Sequence, residues 1–320
     1  MNVLIISGPT ASGKSSLALK IAEKLNGQII NADVGQFYTK FAVGTAKPDL
    51  KFEKIPHHLF DVIDSPKNLS VCDYRNLLLD KVLQVQKTGA LPIIVGGSLF
   101  YLKSLFFPPA SLTIESNKDD LIVNLEGLSP WEFLNKIDSK RAANLNPADL
   151  YRINRAIKIW MITKQKPSNF KPKAIFPFNF FFLFLNPDQD LLEKKIKNRT
   201  YEMLVPGGDK KGWIEEVREI VNTPWEGFLK EKKLIGYPEI LEWIKKEEVG
   251  IDFLIDEIVR KTKNYAKRQK VFWKSFKREL EKEIKDSKFN CELLEVDNIN
   301  LDDQSTLQIA SSVQNFLKLK

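Results

Sequence analysis

Val3-Leu4-Ile5-Ile6-Ser7-Gly8-Pro9-Thr10-Ala11-Ser12-Gly13-Lys14-Ser15 is a short, apolar, β-branched run feeding directly into a G-x-x-x-x-G-K-S loop. Leu17, Ile21, Ala22 and Leu25 follow at helical spacing. The loop therefore lies between a strand and a helix, the context a phosphate loop requires. Each residue type there has a physical role. Glycines let the backbone turn so that N–H groups along Gly8–Ser15 face phosphate oxygens. Lys14 adds a mobile positive charge, and the Ser15 hydroxyl can ligate Mg²⁺. A glycine-rich turn that matches by chance is the plain alternative, but with strand before and helix after, a bound di- or triphosphate explains the pattern better.

The chain has 320 residues, 43% of them hydrophobic and 28% charged, which is ordinary for a globular protein large enough to bury a substantial core. Its first apolar run is short and is used as a strand, so no signal segment is expected. The densest apolar stretch, Phe178–Leu185, is too short to span a bilayer and reads as a buried strand. These features predict a cytoplasmic protein with no membrane association. Cys72 and Cys291 lack C-x-x-C spacing and read as two reduced, structurally incidental thiols. His57 and His58 are adjacent, a poor arrangement for zinc.

The formal net charge is +8. From Arg260 to Arg278 the chain carries nine basic residues and no acidic one. On a helix, Arg260, Lys263, Lys267, Lys270, Lys274 and Lys277 form one stripe, and Val259, Thr262, Ala266, Trp273 and Phe276 form a core-facing stripe opposite. A solvated helix face is one reading. Like charges on one stripe repel, so a nucleic-acid phosphate backbone explains them better.

A second strand, Gly27–Asp33, ends in a carboxylate. Strand ends line the ligand crevice of an open α/β sheet, so Asp33 is placed where chemistry occurs; an N-cap or Asx-turn role is the alternative. A helix with Tyr74, Leu77, Leu78, Val82 and Val85 on one face closes at Gly89, and Leu91–Val95 reads as a parallel-type strand. The pattern predicts an α/β protein with a doubly wound parallel sheet of the P-loop NTPase-like type. Residues 1–109 form the first part of this core and residues 110–175 a helical insertion. In that insertion Trp131, Phe133, Leu134 and Ile137, then Ile153, Ala156, Ile157 and Trp160, keep helical period. Residues 176–320 resume the sheet at Phe180–Leu185 and continue as a mostly helical, basic region.

Taken together, GPTASGKS (8–15), NAD (31–33) with Gln36 and Tyr38, GTAKPD (44–49), PHHLFD (56–61), PIIVGGS with Tyr101 (92–101), NPADLYRINRAI (146–157), IGYPE (235–239) and YAKRQ (265–269) resemble one family, the bacterial tRNA dimethylallyltransferases. The resemblance is collinear from residue 3 to residue 274. It implies transfer of a dimethylallyl group from dimethylallyl diphosphate to N6 of the adenine next to the anticodon of tRNA, position 37 in tRNA numbering, with release of diphosphate. Gly8, Pro9, Thr10, Ala11, Ser12, Gly13, Lys14 and Ser15 then hold the diphosphate, with Mg²⁺ on Ser15. A carboxylate suits the general-base role toward a poorly nucleophilic amine, which points to Asp33. Diphosphate leaves as a polyanion, so an added guanidinium is useful. Arg199 matches the family's arginine for that role, although a helix-surface arginine is the alternative, and Thr10 matches a loop threonine near the bridging oxygen.

By the same resemblance Asp33, Val34, Gly35 and Gln36, Ser98 in the base channel, and Tyr151, Arg152, Ile153, Asn154 and Arg155 contact the tRNA anticodon stem-loop. The insertion closes over that stem-loop from the far side. The Gln36 amide can read an adenine edge, and Arg152 and Arg155 share a helical face suited to gripping RNA, or to salt bridges within the protein. The chain is expected to act as a monomer. It departs from the family at Val34, where serine is usual, at Leu99, where glycine is usual, and in a shorter insertion. Two other readings remain: a P-loop kinase of a small metabolite or nucleoside, and an inactive tRNA-binding module. The first predicts dependence on ATP, the second salt-sensitive tRNA binding without a prenyl product.

Overall fold

Alternation along the strands accounts for the layered core. In the computed structural model, which describes residues 1–108, 125, 127–170, 174–246, 250–285, 287–297 and 303–317, six strands form one all-parallel sheet in the order β3-β2-β4-β1-β5-β6. Positions 110–124, 126 and 171–173 of the expected insertion lie outside the described residues. In chain order the first elements are β1 (Asn2–Ser7), α1 (Lys14–Lys24), β2 (Gly27–Asn31), a 3₁₀ turn at Val34–Phe37, β3 (His57–His58), α2 (Val71–Lys87), β4 (Leu91–Val95) and α3 (Leu99–Phe106). Then come α4 (Pro130–Ile137), α5 (Ser139–Ala142), α6 (Leu150–Thr163), β5 (Asn179–Asn186), α7 (Gln189–Leu204), α8 (Trp213–Arg218), α9 (Pro224–Lys232) and α10 (Tyr237–Lys245). The last are α11 (Ile251–Ile284), β6 (Cys291–Asp297) and α12 (Asp303–Leu317).

The chain divides into two compact units, Met1–Phe106 with Phe176–Lys320, and Phe107–Ile175. In the first, one sheet face carries Leu4, Ile6, Ile93, Val95, Phe181, Leu183 and Leu185, clustered with Leu17, Ala18 and Ile21 of α1 and Ile309, Ala310 and Val313 of α12. Alternate residues of β5 face the other way. There Trp273 of α11 stacks on Phe182 and Phe184 with centroids 4.8 and 4.4 Å away. Burial on both faces explains why β5 reads as an unbroken apolar run. Ser70 starts α2 by accepting from the Asp73 N–H at 3.1 Å, and Tyr74, Leu78, Val82 and Val85 are buried while Leu77 faces solvent.

The C-terminal region carries a strand besides its helices: β6 pairs with β5 from Phe180 opposite Cys291 to Asn186 opposite Asp297. As a half-exposed edge strand rich in acidic residues, it lacks the apolar signature of the inner strands. The basic stripe of α11 is two interleaved sets. Lys263 pairs with Glu193, Lys270 donates to the Pro187 carbonyl at 2.7 Å, and Lys277 pairs with Glu295 of β6 at 3.1 Å. Arg260, Lys267 and Lys274 are exposed between them. Half of the stripe therefore fastens α11 to the fold.

In the second unit a capping box between Ser129 and Glu132 starts α4, and Phe133, Leu134, Ala142, Ile153, Ala156 and Ile157 form a small core. No described helix is long and apolar enough to cross a membrane.

Candidate active site

The phosphate loop turns tightly after β1, with Ala11 and Gly13 at φ 62° and 88°. Lys14 Nζ and the Ser12 N–H both donate to the Pro9 carbonyl at 3.2 Å, which curls the loop on itself. Ser12 Oγ is buried and finds no hydrogen-bond partner among the described residues, a costly state that an anion in the loop would relieve. Burial pulls the Lys14 pKa down to about 8, a shift opposed by the negative charge of Asp33 and reinforced by Arg199.

Asp33 lies two residues beyond β2, not at its last position. Asn31, fully buried, holds its peptide: the Asp33 N–H donates to Asn31 Oδ1 at 2.8 Å, and Asn31 Nδ2 donates to the Asp33 and Leu59 carbonyls at 3.2 and 3.0 Å. Asp33 is the N-cap of the 3₁₀ turn, yet its carboxylate makes no capping hydrogen bond, so the side chain is not consumed by the turn. The loop after β4 crosses this segment at Gly96, where a Cβ would come within 2.1 Å of the Ala32 backbone. Ser98 Oγ then accepts from the Val34 N–H at 3.2 Å. Leu99, the departure from a family glycine, is the buried first residue of α3 and has no positive φ, so it imposes no backbone strain.

These loops open into a cavity of about 770 Å³ lined by Thr10, Ala11, Gly13, Lys14 and Ser15, by Asp33, Gly35 and Gln36, and by Arg199 of α7. Gly8, Pro9, Ser12, Val34 and Ser98 belong to the same loops but do not line it. The Arg199 pKa is lowered by burial and raised by nearby Asp33, so this guanidinium is a half-buried cavity group and not a helix-surface arginine. Lys195, Lys232, Lys233 and Arg268 add positive charge against the carboxylates Asp33 and Glu202, a wall suited to a polyanion. Tyr265 also lines the cavity, and burial raises its pKa with the Asp33 charge adding to the shift.

Glu216 and Lys47, to which the sequence assigned no role, order the loop that carries Gly44, Thr45 and Ala46 of the cavity lining. The buried Glu216 carboxylate accepts from the Ala42, Val43 and Gly44 N–H groups at 2.9, 2.7 and 3.2 Å and from the Tyr237 hydroxyl at 2.7 Å. Lys47 pairs with Asp61 and donates to the Tyr38 carbonyl at 2.6 Å. Gln36 Nε2 donates to the Thr45 and Ala46 carbonyls at 2.9 and 3.2 Å. The Nε2 group of Gln36 thus holds the 44–46 loop. Gly236 at φ 96° is required where Trp213 leaves a Cβ only 1.9 Å of room.

In the second unit Tyr151 is 75% exposed, Arg152 pairs with Asp149 at 3.0 Å, and Asn154 and Arg155 face solvent. Ile153 is fully buried among Phe133, Leu134 and Ala156, which corrects its assignment to tRNA contact: on α6 it is the inward-facing residue of the five.

The depressed pKa of Lys14 has a signed consequence. Only the protonated amine attracts phosphate, and a bound polyanion raises its pKa. Affinity for an organic diphosphate is therefore expected to be greatest below pH 8 and to fall as pH rises through about 8. The ligand's own charge is constant there, since a phosphate's second ionisation lies near about pH 6. Isothermal titration across this range should show the fall, and Lys14→Met should bind more weakly and remove it. An equal slope in that variant would clear Lys14 of responsibility.

A parallel sheet whose phosphate loop faces a carboxylate and a half-buried guanidinium across one cavity defines a protein of the phosphate-loop class, built to hold a di- or triphosphate. The family model described as IPP transferase matches residues 36–276. A tRNA dimethylallyltransferase of Aquifex aeolicus is 33% identical over 278 residues, covering 84% of this chain and 88% of that protein. One of Geobacter sulfurreducens is 32% identical, covering 83% and 87%. The chain belongs to the tRNA dimethylallyltransferase, or IPP transferase, family. Among solved structures, a eukaryotic dimethylallyltransferase acting on tRNA superposes with a TM-score of 0.73 at 26% identity, covering 98% of this chain and 78% of that one. A tRNA isopentenylpyrophosphate transferase of Bacillus halodurans, at TM-score 0.65 and 24% identity over 99% and 97% of the two chains, shares the fold.

Proposed function

We propose that the protein transfers the dimethylallyl group of dimethylallyl diphosphate to N6 of adenine 37 in tRNA, and that Asp33, Thr10, Lys14 and Arg199 carry the reaction. The observation that carries this reading is the meeting of the phosphate loop, Asp33 and Arg199 around one cation-rich cavity. The adenine leaves its stack to enter the cavity. Its exocyclic nitrogen attacks C1 of the dimethylallyl group, the C1–O bond breaks, and the bonding pair leaves with diphosphate. Asp33 takes the proton from the nitrogen. Lys14, Arg199 and the loop N–H groups meet the charge that grows on the leaving oxygens, and the Thr10 hydroxyl is at hand for the bridging oxygen.

Mg²⁺ fits this site as a companion of the diphosphate. Ser15 is exposed in the cavity and offers its hydroxyl, while among the described residues no three His, Cys, Asp or Glu side chains converge on one point. When bound, the ion would be held by Ser15 together with the diphosphate and would neutralise leaving-group charge.

The tRNA would meet Asp33–Gln36 and Ser98 near the cavity, and Tyr151, Arg152, Asn154 and Arg155 of the second unit. Arg260, Lys267 and Lys274, the exposed half of the α11 stripe, would meet phosphates. Lys267→Glu with Lys274→Glu should weaken tRNA binding and flatten its salt dependence by roughly one to two counterions in filter binding. An unchanged slope would leave those lysines as solvated surface. The reading takes the protein to act as a cytoplasmic monomer.

Incubation with tRNA and labelled dimethylallyl diphosphate, followed by nucleoside analysis, tests the assignment. Label in N6-dimethylallyladenosine supports it. Bound tRNA without label would instead favour an inactive binding module.

A further inference from the structure

Gln269 is 5% exposed and lies on the core face of α11, between Ala266 and Trp273. A buried amide is costly unless both its ends are bonded. Here both are, and to different loops: Oε1 accepts from the Thr10 N–H at 3.0 Å, and Nε2 donates to the Gly97 carbonyl at 2.8 Å. The partners fix the amide's orientation, because one is a donor and the other an acceptor. The approach also depends on Gly97, where a Cβ would stand 2.6 Å from Nε2. The residue after Gly97 is Ser98, whose Oγ accepts from the Val34 N–H, next to Asp33.

A continuous run of bonds thus joins Thr10 of the diphosphate cradle, through Gln269 and Gly97–Ser98, to the segment bearing the general base. Loops are ordinarily the mobile part of such a sheet, and here one core side chain ties two of them together. We propose that Gln269 is a positioning residue for the transfer, setting the spacing between the leaving-group cradle and the loop that presents Asp33 to the acceptor. The proposal rests on the activity proposed above. Gln269 itself touches neither substrate in this role; it acts through Thr10 and Gly97.

Two variants separate this from ordinary core packing. Gln269→Leu removes both bonds, and Gln269→Glu keeps an acceptor for the Thr10 N–H but loses the donor to Gly97. Displacement of reacting groups by as little as about 1 Å can cost on the order of a hundredfold, so kcat should fall about tenfold to a hundredfold in both variants. KM for dimethylallyl diphosphate and for tRNA should stay within about threefold, the signature of lost alignment and not of lost binding. An unchanged kcat in either folded variant would overturn the proposal. So would a kcat loss matched by weaker binding of inorganic diphosphate and a lower melting temperature, which would mark Gln269 as a packing residue. If Gln269→Leu does not fold, the Glu variant decides on the same readouts. Absence of prenylated nucleoside with the unaltered protein would instead overturn the activity itself.

Discussion

Asp33→Asn is expected to lower single-turnover prenyl transfer by about 10²–10⁴-fold, the usual worth of a positioned general base. The substitution keeps the side chain's shape and removes its charge and basicity. It should not disturb the backbone, because Asn31 holds the Asp33 peptide through main-chain atoms and the carboxylate caps nothing. tRNA affinity should therefore stay near that of the unaltered protein. One side effect has a known sign. The Asp33 charge supports the protonated form of Lys14, so its loss should shift the fall in donor affinity to lower pH. Rates are best compared near pH 7 with both substrates saturating. A variant that kept more than about a tenth of the rate would remove Asp33 from the base role.

Arg199→Leu should cost about 10²–10³-fold in kcat, comparable to deleting one preorganised donor from a site where negative charge develops. The residue stays charged although burial lowers its pKa, because a guanidinium ordinarily titrates far above neutrality. Its worth comes from that half-buried setting, where a charge is screened less than at the surface. Arg199→Lys should recover only part of the loss, since an ammonium lacks the planar fork that meets two phosphate oxygens at once. Inorganic diphosphate as a competitive inhibitor provides the check on binding, and its inhibition should weaken in the same order. A loss below about threefold in Arg199→Leu would identify a bystander.

Several parts of the fold follow from local chemistry and were legible. The runs at Val3–Ser7, Leu91–Val95 and Phe180–Leu185 are buried on both faces, so their apolar character needs no context to be read. The helix at Val71–Lys87 carries its own start signal at Ser70. The phosphate loop is likewise local, its function being written in the spacing of two glycines, a lysine and a serine. β6 was not legible, because an edge strand has one neighbour and half-exposed residues. Its Glu295 has meaning only beside Trp273 and Lys277, from which it accepts at 3.2 and 3.1 Å.

The candidate site divides in the same way. Thr10, Lys14, Asp33 and Arg199 could be named from motifs. Glu216, by contrast, looks like any helix glutamate until the fold brings the Ala42–Gly44 N–H groups to it. Gln269 left one trace, a polar residue at the spacing of the core-facing stripe of α11, yet its two partners lie more than 150 residues away in the chain. The six-lysine-and-arginine stripe shows the converse: period alone placed all its members on one face, and only the neighbours Glu193, Pro187 and Glu295 decided which of them bind the protein itself.

What this sequence determined unaided is therefore the parallel sheet, its anion-binding loop and the residue types available for transfer chemistry, because each depends on neighbours within a few positions. What only the tertiary structure decided is the spacing among those groups and the allocation of its polar and charged side chains. Those depend on contacts between distant segments, where a hydrogen bond or an ion pair is set by which surfaces the buried apolar faces bring together.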